Sequence, residues 1–124
     1  MPLMYETMSS ILPHVKAGRL RGLGVTSAKR SAAVADLPSI SETLPGFDVS
    51  AWGGIVVPAK VPKANIVKLN VEMNKVLSNP AFREKFNATG NEIVGGTSEQ
   101  FVAHVRKETQ KWADVIKRSG LKID

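Results

Sequence analysis

With 124 residues the chain can build one hydrophobic core but not two comfortable ones, and an apolar fraction of 43% fits a globular domain. Seventeen Lys and Arg against eleven Asp and Glu leave a formal charge of +6, which attracts anions. The absence of cysteine excludes disulfides, thiolate nucleophiles and zinc-thiolate sites.

The basic residues are dispersed among acidic ones, without a basic run or interleaved exposed aromatics, so nucleic acid is not an expected partner. No apolar run approaches the roughly 20 residues that cross a bilayer. The opening "MPLMYETMSS" lacks a basic n-region and an apolar h-region and does not read as a signal peptide.

Met8 to Lys16 reads as a short helix opened by Thr7 and stopped by Gly18, with Pro13 interrupting its hydrogen-bond ladder. "RLRGLGVTS" follows, with Leu20, Leu23 and Val25 in a compact segment that predicts a strand approached closely at its glycines. "AKRSAAVADLPSISETLPGF" is punctuated by Pro38, Pro45 and Gly46 and predicts turns with short helical pieces. "DVSAWGGIVVP" is read as a second strand. Its continuous Ile55, Val56 and Val57 suggest burial on both faces, hence a parallel or mixed sheet covered by helices.

Residues 65–77 carry Ile66, Leu69, Met73, Val76 and Leu77 at helical spacing. Asn79 and Pro80 open a further helix, since Asn caps and Pro suits the first helical position; Phe82 and Phe86 are expected to face inward and Gly90 to end it. A short strand is expected at 92–94. Thr97, with Gln100 three residues on, has the reciprocal spacing of a capping box and opens the last helix, 98–118. Phe101, Val105, Trp112 and Ile116 form its apolar stripe, while Arg106, Lys107, Lys111 and Lys117 lie largely elsewhere.

Catalytic chemistry has little support. His14 and His104 are far apart and neither stands at a metal-binding spacing, so no metal is expected and both read as helix-surface residues. There is no G-x-S-x-G elbow, no S-x-x-K and no P-loop, and nothing pairs Glu6 or Asp48 with a partner. An enzyme is not expected, and no cofactor is implied.

Three stretches together, "LPHVKAGRLRGLGVTSAKR", "ADLPSISETLPGFDVSAWGGIVVPAKVPKANIVKLNVEMNKVLSNPAFREKF" and "GNEIVGGTSEQFVAHVRKETQKWADVIKRSG", resemble the Bug family, the TctC-like periplasmic solute-binding receptors of tripartite tricarboxylate transport systems. The resemblance covers nearly the whole chain but only the carboxy-terminal portion of such a receptor. It implies an α/β fold, a partial periplasmic-binding-protein type II-like fold with a mixed sheet and covering helices. It places residues 1–50 in the second, distal lobe and the crossover, and residues 51–124 in the return strand and the helices packing on the first lobe.

The implied function is binding of a small organic carboxylate anion for a membrane transporter; the alternative is a truncated structural or interaction remnant that binds no ligand. The implied ligand contacts are Thr26, Ser27 and Arg30, on a T-S-x-x-R turn, and Ser50, Trp52 and Gly53. Each has a second reading: Arg30 as the partner of a nearby acid, Thr26 and Ser27 as caps of a turn, Trp52 as hinge packing. The family implies the periplasm, whereas this chain as it stands, without an export signal, implies the cytoplasm. Open strand edges in a partial receptor further imply a homodimer or a complementing fragment. One departure concerns "PAKVP", where Lys60 and Val61 replace the family's glycine and hydroxyl cap and weaken the expected start of the 65–77 helix.

Overall fold

The computed structural model describes residues 3–120. Four helices follow in order: α1, Met8–Lys16; α2, Lys63–Ser78; α3, Pro80–Ala88; and α4, Ser98–Ser119. Between α1 and α2 stand two single-turn 3₁₀ helices, Ala32–Val34 and Ile40–Glu42, as the Pro- and Ser-rich composition there predicts.

The expectation of an α/β fold with a mixed sheet is corrected by the structure. Among the described residues there is no strand; the one ladder element is a parallel bridge between Val25 and Ser39. In it the Val25 amide donates to the Pro38 carbonyl and the Ile40 amide to the Val25 carbonyl, each at 2.9 Å. The segments "RLRGLGVTS", "DVSAWGGIVVP" and 92–94 run without becoming a sheet. The reason is physical: a helix pairs its backbone groups within itself, whereas a strand needs a neighbour to supply donors and acceptors. Side-chain pattern reports the preference and not the neighbour.

The chain divides into two compact units, Met1–Gly53 with Val76–Val94, and Gly54–Lys75 with Gly95–Asp124. In the first, α1 begins where Thr7 precedes it, with Pro13 inside the helix rather than ahead of it. Leu12 of α1 is buried, and the Met8 side chain lies where a Cβ on Gly90 would stand, with Leu12 at ordinary contact distance beside it. Gly90 also has φ +81°, so both space and backbone demand glycine there. Asn79 caps α3, its side-chain oxygen accepting from the Phe82 amide at 3.1 Å, and Pro80 takes the first helical position. Phe82 and Phe86 do not face inward as expected: both are exposed, and their rings stack on each other at 5.8 Å between centroids.

In the second unit two carboxamides from successive turns of α2 converge on one peptide group. Asn70 Nδ2 and Asn74 Nδ2 both donate to the Gly96 carbonyl, and the Gly96 amide donates to Asn74 Oδ1, each at 2.9 Å. This clamp fixes the residue just before Thr97, the cap of α4. The capping box forms in full: the Gln100 amide donates to Thr97 Oγ1 at 3.2 Å and the Thr97 amide to Gln100 Oε1 at 2.8 Å. Further along α4 the carboxylate of Glu108 is buried beneath Lys111, with which it forms an ion pair, and accepts the Trp112 indole N–H at 3.1 Å.

Burial is sparse. Leu12 and Val25 are the buried large apolar residues among those described, while Ile55, Val56, Val67 and Val94 stand more than half exposed. The chain exposes 10124 Å², against about 6,500 Å² for a compact monomer of its mass and about 7,800 Å² for two separate compact bodies of half that mass.

Candidate functional site

The six residues implied as ligand contacts all fall in the first unit. Thr26, Ser27 and Arg30 occupy the loop after Val25, while Ser50, Trp52 and Gly53 occupy the segment after Asp48. Two contacts bring the first parts of these stretches side by side. The Val49 amide donates to the Thr26 carbonyl at 2.9 Å, and Asp48 Oδ1 accepts from the Ala28 amide at 3.2 Å and from the Ser50 hydroxyl at 3.4 Å.

A floor of serines holds the loop from beneath. Ser39, 2% exposed, donates its hydroxyl to the Ser27 carbonyl, and Ser41 Oγ donates to the Ala28 carbonyl at 2.7 Å. The Ser27 hydroxyl itself turns back to the Lys29 carbonyl at 2.7 Å. No hydrogen bond from the Thr26 hydroxyl is seen among the described residues, and the residue is half-buried.

Arg30 faces Glu42. Its Nε and Nη2 grip the two carboxylate oxygens, each at 2.7 Å, and Nη1 donates to the Ala35 carbonyl at 3.3 Å. Glu42 Oε1 also accepts from the Ser39 amide at 2.9 Å, completing a capping box on the turn Ile40–Glu42. The guanidinium hydrogen bonds and the Ser39 amide hold the Glu42 carboxyl down to about 2, and the carboxylate in turn raises Arg30. The cation is therefore neutralised locally and clamps its own turn.

Trp52 and Gly53 lie farther along the extended segment. Trp52 is 45% exposed, and a Cβ on Gly53 would meet nothing within 4 Å, so backbone approach there is open. Sequence reasoning missed Glu42 and Asp48 as the residues that organise the loop. Glu42 had a signal, since Ser39 and Glu42 stand at capping-box spacing; Asp48 had none, because its partners lie twenty positions away and two positions away in a turn no local rule specifies.

The arrangement offers hydroxyl and backbone donors, an indole face and one neutralised cation. It pairs no nucleophile with a base, and no cluster of His, Cys, Asp or Glu among the described residues can hold a metal ion. Such a set can bind an anion by hydrogen bonds.

Comparison with known proteins gives a match to the tripartite tricarboxylate transporter family receptor over residues 1–121. The chain belongs to this receptor family. Within it the protein is 33% identical over 116 residues to the "UPF0065 protein in tcbD-tcbE intergenic region" of Pseudomonas sp. strain P51, covering 92% of this chain and 34% of the relative. It is 33% identical over 119 residues to Protein BugT of Bordetella pertussis, covering 95% and 36%. Among solved structures, R. palustris Rpa4515 with adipate superposes with TM-score 0.83 at 30% identity, over 91% of this chain and 38% of that one. The periplasmic binding protein BugD gives TM-score 0.80 at 29% identity, over 90% and 38%. This receptor-family chain thus spans little more than a third of each of these four proteins, and membership supports a binding role over an enzymatic one. No helix among its described residues is long and apolar enough to cross a membrane.

Proposed function

We propose that the chain forms part of an extracytoplasmic receptor that binds a small organic carboxylate and delivers it to the membrane subunits of a tripartite tricarboxylate transporter. The observation that carries this reading is the family match across residues 1–121, joined by the likeness to a receptor solved with adipate. Residues 1–50 are assigned to the distal lobe and crossover, and residues 51–124 to the return segment and the helices that pack on the first lobe.

In this reading no bond breaks. The Thr26 hydroxyl and the Ser50 and Gly53 amides replace water around a carboxylate, the Ser50 hydroxyl proton being directed at Asp48. Ser27 contributes its amide, because its hydroxyl proton is committed to Lys29. The exposed Trp52 ring covers the ligand's methylene groups. Arg30, its charge shared with Glu42, acts chiefly by holding the turn that carries Thr26 and Ser27, and its two remaining N–H groups are open to a ligand oxygen.

Isothermal titration of the chain with adipate, citrate and acetate tests the proposal. A saturable heat with the di- or tricarboxylate, absent with acetate and weakened roughly 2- to 10-fold by Thr26→Val, is the expected result. No heat with any acid at millimolar concentration overturns it and leaves the second reading: an interaction piece that binds protein and not a solute. The large exposed surface favours that second reading.

A further inference from the structure

A hydroxyl has one proton to give, and at the candidate site the protons of both serines are already directed within the chain. The Ser27 hydroxyl donates to the Lys29 carbonyl at 2.7 Å, and the Ser50 hydroxyl to Asp48 Oδ1 at 3.4 Å. A carbonyl and a carboxylate bring no hydrogen of their own, so the direction of both bonds is fixed. The second is long, yet the negative charge of the carboxylate still turns the hydroxyl hydrogen towards it. These orientations belong to a built loop. Asp48 Oδ1 also accepts from the Ala28 amide at 3.2 Å, the neighbouring Val49 amide donates to the Thr26 carbonyl at 2.9 Å, and the buried Ser39 holds the Ser27 carbonyl from beneath. All of these contacts lie within residues 26–50. The Thr26 hydroxyl, by contrast, makes no hydrogen bond among the described residues and keeps its proton for a ligand.

We infer that the Ser27 and Ser50 hydroxyl oxygens act as acceptors, so that the site selects a carboxylic acid bearing a hydroxyl or an ammonium beside its carboxylate over the same acid without one. This rests on the carboxylate reading proposed above and narrows its ligand class. The carboxylate takes the donors, which are the Thr26 hydroxyl and the backbone amides. A carboxylate oxygen set against either serine oxygen would bring lone pair against lone pair, whereas a hydroxyl or ammonium at that point supplies the hydrogen. Asp48 adds a negative charge beside Ser50, which favours an ammonium there and disfavours a second carboxylate. Ser50 is exposed and Ser27 half-buried, so the discrimination is that of an ordinary hydrogen bond, roughly 3- to 10-fold in affinity.

Titration calorimetry of the full chain with succinate, malate and aspartate, which share one carbon skeleton and differ in a single substituent, tests it. Malate and aspartate are each expected to bind roughly 3- to 10-fold more tightly than succinate. Joining Ser27→Ala with Ser50→Ala removes both acceptor oxygens while leaving both amides, and should bring that ratio to about one. Thr26→Val should weaken all three acids and preserve the ratio, because it removes a donor to the carboxylate they share. Succinate binding to the parent chain as tightly as malate and aspartate overturns the inference and leaves the carboxylate reading standing. A preference that survives the double substitution also overturns it. No heat with any of the three acids overturns both together. The ratio in the parent chain decides the matter even where the double variant fails to fold.

Discussion

The last helix and the stretch that follows Phe47 are opposite cases of the same chain. In α4 each feature that makes the helix is local: Thr97 and Gln100 close the cap, Glu108 collects Lys111 and Trp112 one turn on, and Gly120 at φ +67° ends it. Residues 47–58 are at least as apolar and as rich in β-formers, yet among the described residues 54–57 make no backbone hydrogen bond to another segment. The lesson concerns where hydrogen-bond partners come from. A helix carries them in its own sequence, and a strand borrows them from another segment.

That contrast can be attacked at several points. The largest effect on stability is expected from Gly54→Val, which drives a branched side chain into the Phe101 ring and should cost about 1–3 kcal/mol in urea unfolding. A loss under about 0.5 kcal/mol, the usual surface value, would show that the extended segment is not seated on α4 at all. Next comes Thr97→Ala, which removes one half of the capping box; about 1 kcal/mol is expected, with non-additivity against Gln100→Ala in a double-mutant cycle, because the two side chains cap reciprocally.

A smaller, pH-dependent effect belongs to the anchored start of the extended segment. Glu42 has its pKa lowered from 4.5 to about 2 in the folded chain, so its pairing with Arg30 stabilises fully above the unfolded value and is lost as pH falls from 4.5 towards 2. Both partners are exposed, so the melting temperature should fall only modestly over that window. Arg30→Ala should flatten that part of the profile, and an unaltered slope would remove the pair from the account. The smallest stability change is expected from Val56→Thr, within about 0.5 kcal/mol, as for any exposed position.

Much of the helical architecture was legible in the residues. Met8 to Lys16 matches α1 at both ends, and 65–77 falls inside α2 although Pro62 and Val61 offer no side-chain oxygen to cap it; the Pro62 carbonyl accepts from Asn65 and Ile66 instead. The Asn79 cap and the Thr97 capping box also follow from spacing alone. The candidate site was legible only as a set of residue types. Nothing within a few positions of Arg30 says that its fork closes on Glu42 twelve residues away, or that Asp48 ties Ala28 to Ser50.

Family membership, the four helices, the Asn79 cap and the Thr97 capping box were determined by the sequence itself, because periodicity, capping residues and helix stops act over three to five positions, although Thr7 makes no side-chain cap bond to α1. Only the tertiary structure decided that the apolar runs form no sheet, that Phe82 and Phe86 stack in the open, and that Arg30 faces a carboxylate of its own chain. These depend on which distant segment is near, and that depends on partners a local pattern does not name.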